Sequence, residues 1–250
     1  PNRTGALMQP HEYEVMAAVE DRHFWFIQTR LIVGDTIKAA GLGPESRILD
    51  VGCGTGGTMK ALAGLAQWTG TDLNEYAVEL ARQRSNAQVF VAEAANLPFE
   101  DHTFDAVTAL DVLVHIEDDL AALAEIRRVL KPGGTLITTV PCHPVLYSRH
   151  DRALGHVRRY QRADFLDKVQ LGGFVVQRAT WMNSLLFPLA AAARLADRLM
   201  ARGGTDSDAA TNLGPLNGVF NVIFGLERQM LKKTNMPIGL SLLVVSKSPG

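Results

Sequence analysis

Cysteine is scarce in this chain of 250 residues: Cys53 and Cys142 are the two it has. They form no CxxC pair and no metal-ligand spacing, so neither a disulfide framework nor a metal site is expected, and a reducing, cytoplasmic setting is. Charge of one sign is not in excess either. Lys and Arg total 25 against 26 Asp and Glu, for a net charge of -1. No global basic field argues for nucleic acid as the partner. Long apolar runs are missing as well. The longest, Leu185 to Ala193, stops at Arg194, well short of the roughly 20 residues that span a bilayer. Pro1 to Pro10 has no apolar h-region, so no signal peptide is expected there. What remains is an ordinary globular composition, 47% hydrophobic and 20% charged. A chain of this length buries roughly 70–75% of its unfolded surface, enough for a core without staples.

The periodicity alternates. A helical pattern over residues 11–40 carries Val15, Val19, Phe26, Leu31 and Ile37 and is stopped by Gly41–Pro44. Short apolar runs then alternate with helical ones. Strands are expected at Ile48–Val51, Trp68–Thr71, Val89–Ala92, Phe104–Ala109 and Thr135–Val140, the last after a Lys131-Pro-Gly-Gly134 turn. Such alternation predicts a parallel, doubly wound sheet. The second half differs. Residues 141–162 are irregular and rich in Arg and His, Ala163–Leu171 reads as helix, and Phe174–Arg178 and Ser241–Ser246 read as strands. About 60 residues separate those two strands, with helical patterns near Leu185–Met200 and from Leu216 to Met230 and a polar linker, Gly203–Asp208, between them.

After the first strand comes Asp50-Val-Gly-Cys-Gly-Thr-Gly-Gly57. Glycines there permit a tight turn and close approach of backbone to a ligand. Gly52, Gly54 and Gly57 also satisfy the GxGxxG dinucleotide pattern, so the glycines alone leave S-adenosylmethionine (SAM) and a dinucleotide equally open. Asp50 shifts the balance, because a carboxylate at that strand end suits an ammonium better than a pyrophosphate. Asp72, at the end of the second strand, is placed to accept from ribose hydroxyls, which both ligands carry.

Taken together, Ile48-Leu-Asp-Val-Gly-Cys-Gly-Thr-Gly56, Thr69-Gly-Thr-Asp72, Leu97-Pro-Phe99, Phe104-Asp-Ala-Val107, Leu113-Val-His115 and Arg128-Val-Leu-Lys-Pro-Gly-Gly134 resemble, in order, the class I SAM-dependent methyltransferases, in their small-molecule and lipid branch. The resemblance covers residues 47–140. It implies an α/β, Rossmann-like doubly wound sheet of seven strands in the order 3-2-1-4-5-7-6, with strand 7 antiparallel. Added to that would be an N-terminal helix over 1–44 and a helical cap inserted between strands 6 and 7. The whole would be one domain, 1–250, its SAM-binding core at 45–178 and 239–247 and its cap at 179–238. The resemblance also implies roles. Asp50 and the loop of Gly52, Cys53, Gly54 and Gly56 would hold the methionine part of SAM. Asp72 would hold the ribose and Leu73 pack on the adenine. Glu93 and Ala94 would meet the adenine edge. Leu110, Asp111 and His115 would line the pocket after the fourth strand. Glu93 stands where relatives often have Asp, and Val114 where many have Glu before the His.

Methyl transfer to a hydroxyl needs a general base, and histidine titrates in the right range. The candidates are His150 and His156 first, then His115 and His143, all on or after pocket-facing strand ends. Arg149, Arg152, Arg158, Arg159 and Arg162 crowd the same stretch. Arginine suits carboxylate or phosphate recognition, and a solvated loop paired with Asp151 and Asp164 is the plainer alternative. His23-Phe-Trp-Phe26 would line the cleft or pack its helix. No metal ligand set is expected. The expected function is methyl transfer from SAM, leaving S-adenosylhomocysteine (SAH), to a small-molecule acceptor that is partly apolar or anionic. Alternatives are a membrane-surface enzyme with a lipid-like acceptor and a SAM-binding protein without transfer activity. Peripheral membrane contact and a homodimer stay open as partners.

Overall fold

A computed structural model describes residues 10–199 and 214–250. The chain begins with helices α1 (Pro10–Val19) and α2 (Phe24–Ala39). One helix was expected over 11–40. The chain breaks at 20–23, where the His23 side chain accepts from the Trp25 amide at 3.3 Å and starts α2. Alternating elements follow: β1 (Arg47–Val51), α3 (Gly57–Ala61), β2 (Gln67–Asp72), α4 (Glu75–Arg84), β3 (Gln88–Val91), β4 (Phe104–Leu110), α5 (Asp119–Val129) and β5 (Leu130–Pro141). After them come α6 (Arg149–Ala153), α7 (Arg162–Leu171), β6 (Val175–Met182), α8 (Phe187–Leu199), α9 (Leu216–Leu231) and β7 (Ser241–Lys247). The expected linker at Gly203–Asp208 lies outside the described residues.

The seven strands form one sheet in the order β3-β2-β1-β4-β5-β7-β6, as the resemblance implies. β7 runs antiparallel to both β5 and β6, so β6 points the same way as β1 to β5. Every parallel strand therefore delivers its carboxyl end to one edge, where open α/β sheets bind ligands. The central strands are buried on both faces. Ile48, Leu49, Ala106, Val107, Leu136 and Ile137 are fully enclosed, which explains the unbroken apolar runs of β1, β4 and β5.

Three boundaries differ from expectation. β5 begins at Leu130 and takes in Lys131–Gly134, expected as a turn before it, because Leu130 already pairs with Phe104 ahead of a register shift. β6 continues four residues beyond Arg178, because residues 179–182 pair with Val244 back to Ser241. The insertion between β6 and β7 thus starts at Asn183 rather than at 179. Residues 141–162 are not wholly irregular, since α6 forms within them.

α9 is apolar on most of its circumference. One side meets α2: Phe24 packs edge-on against Phe220 and Phe224, and Trp25 stacks on Phe224 at 5.7 Å. Gln28 donates to Asn221, and Arg228 makes a two-pronged bond to Asp35. The aromatic run of α2 is therefore a helix-packing device. A second side buries Glu227 and Leu231. The third exposes Leu216, Val219, Val222, Leu226 and Met230. Among the described residues, no helix is long and apolar enough to cross a membrane.

Candidate active site

At the carboxyl end of β1 the chain turns through Gly52, Gly54 and Gly56, all with positive φ. A Cβ at Gly52 would run into the Val112 side chain, so β1 and the segment after β4 approach as closely as glycine allows. The Cys53 amide donates to the Thr71 carbonyl and the Gly54 amide to Asp72 Oδ2, both at 2.9 Å. Asp72 Oδ1 accepts from the Asn74 amide at 2.9 Å. Asp72 thus ties the glycine loop to β2 with one accepted bond on each oxygen. A carboxylate has about four acceptor sites, so capacity remains for ribose hydroxyls.

Asp50 lies beneath this loop, 3% exposed, and accepts from Thr108 Oγ1 at 2.6 Å. Burial pushes its pKa up to about 7; the Thr108 hydrogen bond opposes this and the nearby Asp72 charge adds to it. Asp72 is also raised by burial, against the pull of its backbone donors. Two carboxylates crowded under an apolar loop form a cation-seeking pair. A methionine ammonium would relieve the first and a ribose diol would satisfy the second, so the residues fit SAM. Leu73 is half exposed beside them, Glu93 is exposed and bridges to Asn96, and Ala94 packs against the core.

Over the loop sits α1. Buried Tyr13 lies close enough to Asp72 and Cys53 for their charges, after burial, to raise its pKa, and a Cβ at Gly54 would come 3.1 Å from the Met16 methyl. Behind the loop, Glu20 is 3% exposed and carries bonds from Arg30 and Arg84, with Thr55 Oγ1 at 2.5 Å. This triad fastens the α1–α2 corner to α3 and α4. No feature of the sequence pointed to Glu20 or Tyr13.

The other half of the edge follows β4 and β5. Asp111 has φ 53, and its amide donates to Thr139 O at 2.9 Å. Burial raises its pKa, opposed by His156, Thr139 and Arg159. His156 Nδ1 lies 2.9 Å from Asp151 Oδ1, and its ring meets that of His115 edge-on at 4.9 Å. Asp151 is fully buried and also accepts from the Ser148 amide (2.9 Å) and Arg159 Nε (2.8 Å). Burial raises its pKa, yet the His156 and Arg159 hydrogen bonds outweigh burial and hold it well below the carboxylate range. The His156 backbone is pinned too: its amide donates to Asp151 O and its carbonyl accepts from Tyr147 Oη at 2.7 Å.

The other expected bases stand differently. Burial, with help from His156, lowers His115 to about 4, and its Nδ1 faces the Gly155 carbonyl at 3.2 Å. His150 is lowered to about 3 by burial and the Arg194 charge. His143 stacks flat on Trp181 at 4.9 Å, its Nε2 2.9 Å from the Gly239 carbonyl. The arginines of the stretch divide. Arg158 binds Asp119 and Arg159 binds Asp151, so these two serve the fold, while Arg152 and Arg162 are exposed. Cys53 and Cys142 are both buried thiols. Among the described residues no group of three or more metal-ligating side chains comes together.

Comparison with known proteins agrees with this edge. Residues 49–138 match the family described as a methyltransferase domain. An O-methyltransferase of Penicillium expansum is 38% identical over 133 residues, 47% of this chain and 48% of that protein. A demethylmenaquinone methyltransferase of a Mycobacterium species (strain KMS) is 35% identical over 136 residues, 51% of this chain and 59% of that protein. The matched part is thus about half to three-fifths of these relatives' length. In fold, the chain superposes with a TM-score of 0.62 on a Haloferax volcanii methyltransferase solved with its Trm112 activator, at 20% identity and over 98% of each chain.

Proposed function

We propose, for a chain whose residues 49–138 match a methyltransferase domain, that it is a class I SAM-dependent methyltransferase and that the whole protein transfers a methyl group from SAM to a small-molecule acceptor carrying an ionisable hydroxyl. The observation that carries this is the buried His156–Asp151 pair, standing on the same sheet edge as the glycine loop and Asp50. When bound, SAM supplies an electrophilic methyl group on a sulfonium.

The chain supplies three things. Asp50, Asp72 and the Gly52–Gly56 loop hold the cofactor in one pose, and Leu73, Glu93 and Ala94 flank its base. Alignment of this kind contributes about 7–11 kcal/mol toward lowering a barrier. Asp111, Leu110 and His115 border the space between cofactor and acceptor. His156 takes the acceptor's proton on Nε2, because Nδ1 is engaged by Asp151, which steadies the imidazolium that results. His156 fits this role better than His150, whose depressed pKa of about 3 makes it a poor base at neutral pH. The relatives' printed names, an O-methyltransferase and a demethylmenaquinone methyltransferase, support a small-molecule acceptor, and the first of them an oxygen.

The test is SAH formation from SAM across a panel of phenols and enols. Turnover of at least one hydroxyl acceptor, lost in His156→Asn while SAH still binds, supports the proposal. Equal turnover in the variant removes His156 from the chemistry. A second reading, a lipid-like acceptor reached at a membrane surface, is favoured by the exposed apolar face of α9. Co-sedimentation with anionic liposomes, abolished by Val222→Glu and Leu226→Glu together, would support it, and no sedimentation of the unaltered protein would remove it.

A further inference from the structure

The carboxyl ends of β4, β5 and β6 share a feature that the cofactor half of the site does not use. Asp111 and Asn183, the residues just past β4 and β6, have φ of 53 and 55, and His143, two residues past β5, has φ of 63. All lie in the left-handed region, costly for a side chain other than glycine's and concentrated at functional sites. Two of the three carry a buried oxygen with no hydrogen-bond partner: Asp111 Oδ1 and Asn183 Oδ1.

Beside Asn183 the pattern continues. Glu227, fully buried on α9, uses one oxygen to accept from the Ser184 amide at 2.7 Å and the Leu185 amide at 3.0 Å. Its other oxygen, Oε1, has no partner, and neither does Ser184 Oγ. Among the described residues, every buried side-chain atom left unpartnered is an oxygen and none is a nitrogen. Leaving a buried acceptor unsatisfied is expensive, and Asp111 Oδ1 at one place and Asn183 Oδ1 with Glu227 Oε1 at another are three such acceptors along one edge. Those places are set by the sheet. β4 and β6 are three strand spacings apart in the order β4-β5-β7-β6, which is roughly 14 Å.

We infer that this edge is a two-ended acceptor site for an elongated molecule with a hydrogen-bond donor at each end, one meeting Asp111 near His156, the other meeting Asn183 and Glu227. The inference rests on the methyl-transfer reading, which puts the reacting hydroxyl at the Asp111 and His156 end. Asn183 and Glu227 then select the acceptor by its far end, where Trp181 of β6 stacks on His143 from the loop after β5. A hydroxyl or amine at that far end fits, because each can donate. An ether, ester or ring carbonyl there can only accept, and it leaves Glu227 and Asn183 unsatisfied while adding a third acceptor.

Three rigid probes test this by calorimetry on the SAH-saturated protein: 4,4'-dihydroxybiphenyl with donors at both ends, 4-hydroxybiphenyl with one, and 4,4'-dimethoxybiphenyl with none. We expect the two-donor probe to bind at least tenfold tighter than either other. Glu227→Gln keeps an oxygen for the Ser184 and Leu185 amides and turns Oε1 into an NH2 donor. Asn183→Gly removes the amide at a backbone position that suits glycine. Both should erase the tenfold margin while SAH affinity stays within twofold and the fold stays intact. Equal affinities of the three probes, including no binding by any, overturn the inference. So does a margin that survives in both variants, which would leave Glu227 as a fastening between α9 and β6. Failure of SAH to bind the unaltered protein strikes the methyltransferase reading instead, and the same comparison is then made on the protein alone.

Discussion

Asp50 titrates far from its usual range because it is buried under the glycine loop, and the direction has consequences. Its folded pKa of about 7 lies above the ordinary 3.8. Its contribution to stability is therefore complete below the ordinary value and is lost as pH climbs through 7. Binding of a ligand ammonium has the opposite slope, since it needs the ionised form. We expect SAH affinity to rise about tenfold between pH about 6 and 8 as Asp50 ionises. Asp50→Asn should flatten that profile in calorimetry while making the ligand-free protein more stable at the alkaline end. A profile of unaltered steepness in the variant would assign the titration to another group. In the proposed site Asp72 serves both loop and ligand, so Asp72→Ala should weaken SAH binding by about 1–3 kcal/mol, the cost of losing buried hydrogen bonds. An unchanged dissociation constant in a folded variant contradicts the ribose role. His156→Asn should lower kcat on a hydroxyl acceptor by about 10²–10⁴, with Asp151→Asn intermediate. The placement of Asp50, the glycine loop and Asp72 at neighbouring strand ends was legible in the sequence because they sit on contiguous strand–loop–helix segments. His156 was legible as a residue type, but the orienting role of Asp151 was not, because it depends on how α6 folds back. Asn183 and Glu227 gave no signal: one ends a strand, the other lies on a helix in the insertion, and only tertiary packing joins them.

Among the elements, α1 and α2 show the largest departure from a periodic reading. The apolar spacing runs through residues 11–40, yet the chain turns at 20–23 so that Glu20 can reach Arg30, Arg84 and Thr55. Hydrophobic periodicity does not report a corner held by buried charge. Glu20→Gln should cost about 3–5 kcal/mol, because it takes the buried carboxylate from two largely enclosed guanidiniums and leaves them the more exposed Asp21, and it should loosen α1 over the loop. A denaturant midpoint that hardly moves would mean that the corner is held by packing alone. α9 is held by aromatic contact instead. Phe224→Ala should cost about 3–5 kcal/mol through the cavity it leaves between α2 and α9, read as a lower melting temperature.

At the scale of the whole molecule, strand order was legible through the resemblance that the ordered motifs along 47–140 carry, and the structure has that order. The segment after β5 was not, since α6 is a single short helix capped by a bond from the Ser148 amide to Asp151 and has no apolar period. In the proposed reading one sheet edge carries two functions: a cation-seeking cofactor half at β1 and β2, and a donor-seeking acceptor half from β4 to β6. Everything proposed for the second half depends on what occupies the first. The measurement that bears on it most directly is thermal unfolding with SAM, SAH or NAD. At 100 times its dissociation constant a ligand adds about 2.7 kcal/mol, and we expect that stabilisation from SAM and SAH and none from NAD. Stabilisation by NAD alone, or by none of the three with the fold verified, would contradict the assignment of the glycine loop, Asp50 and Asp72 to SAM.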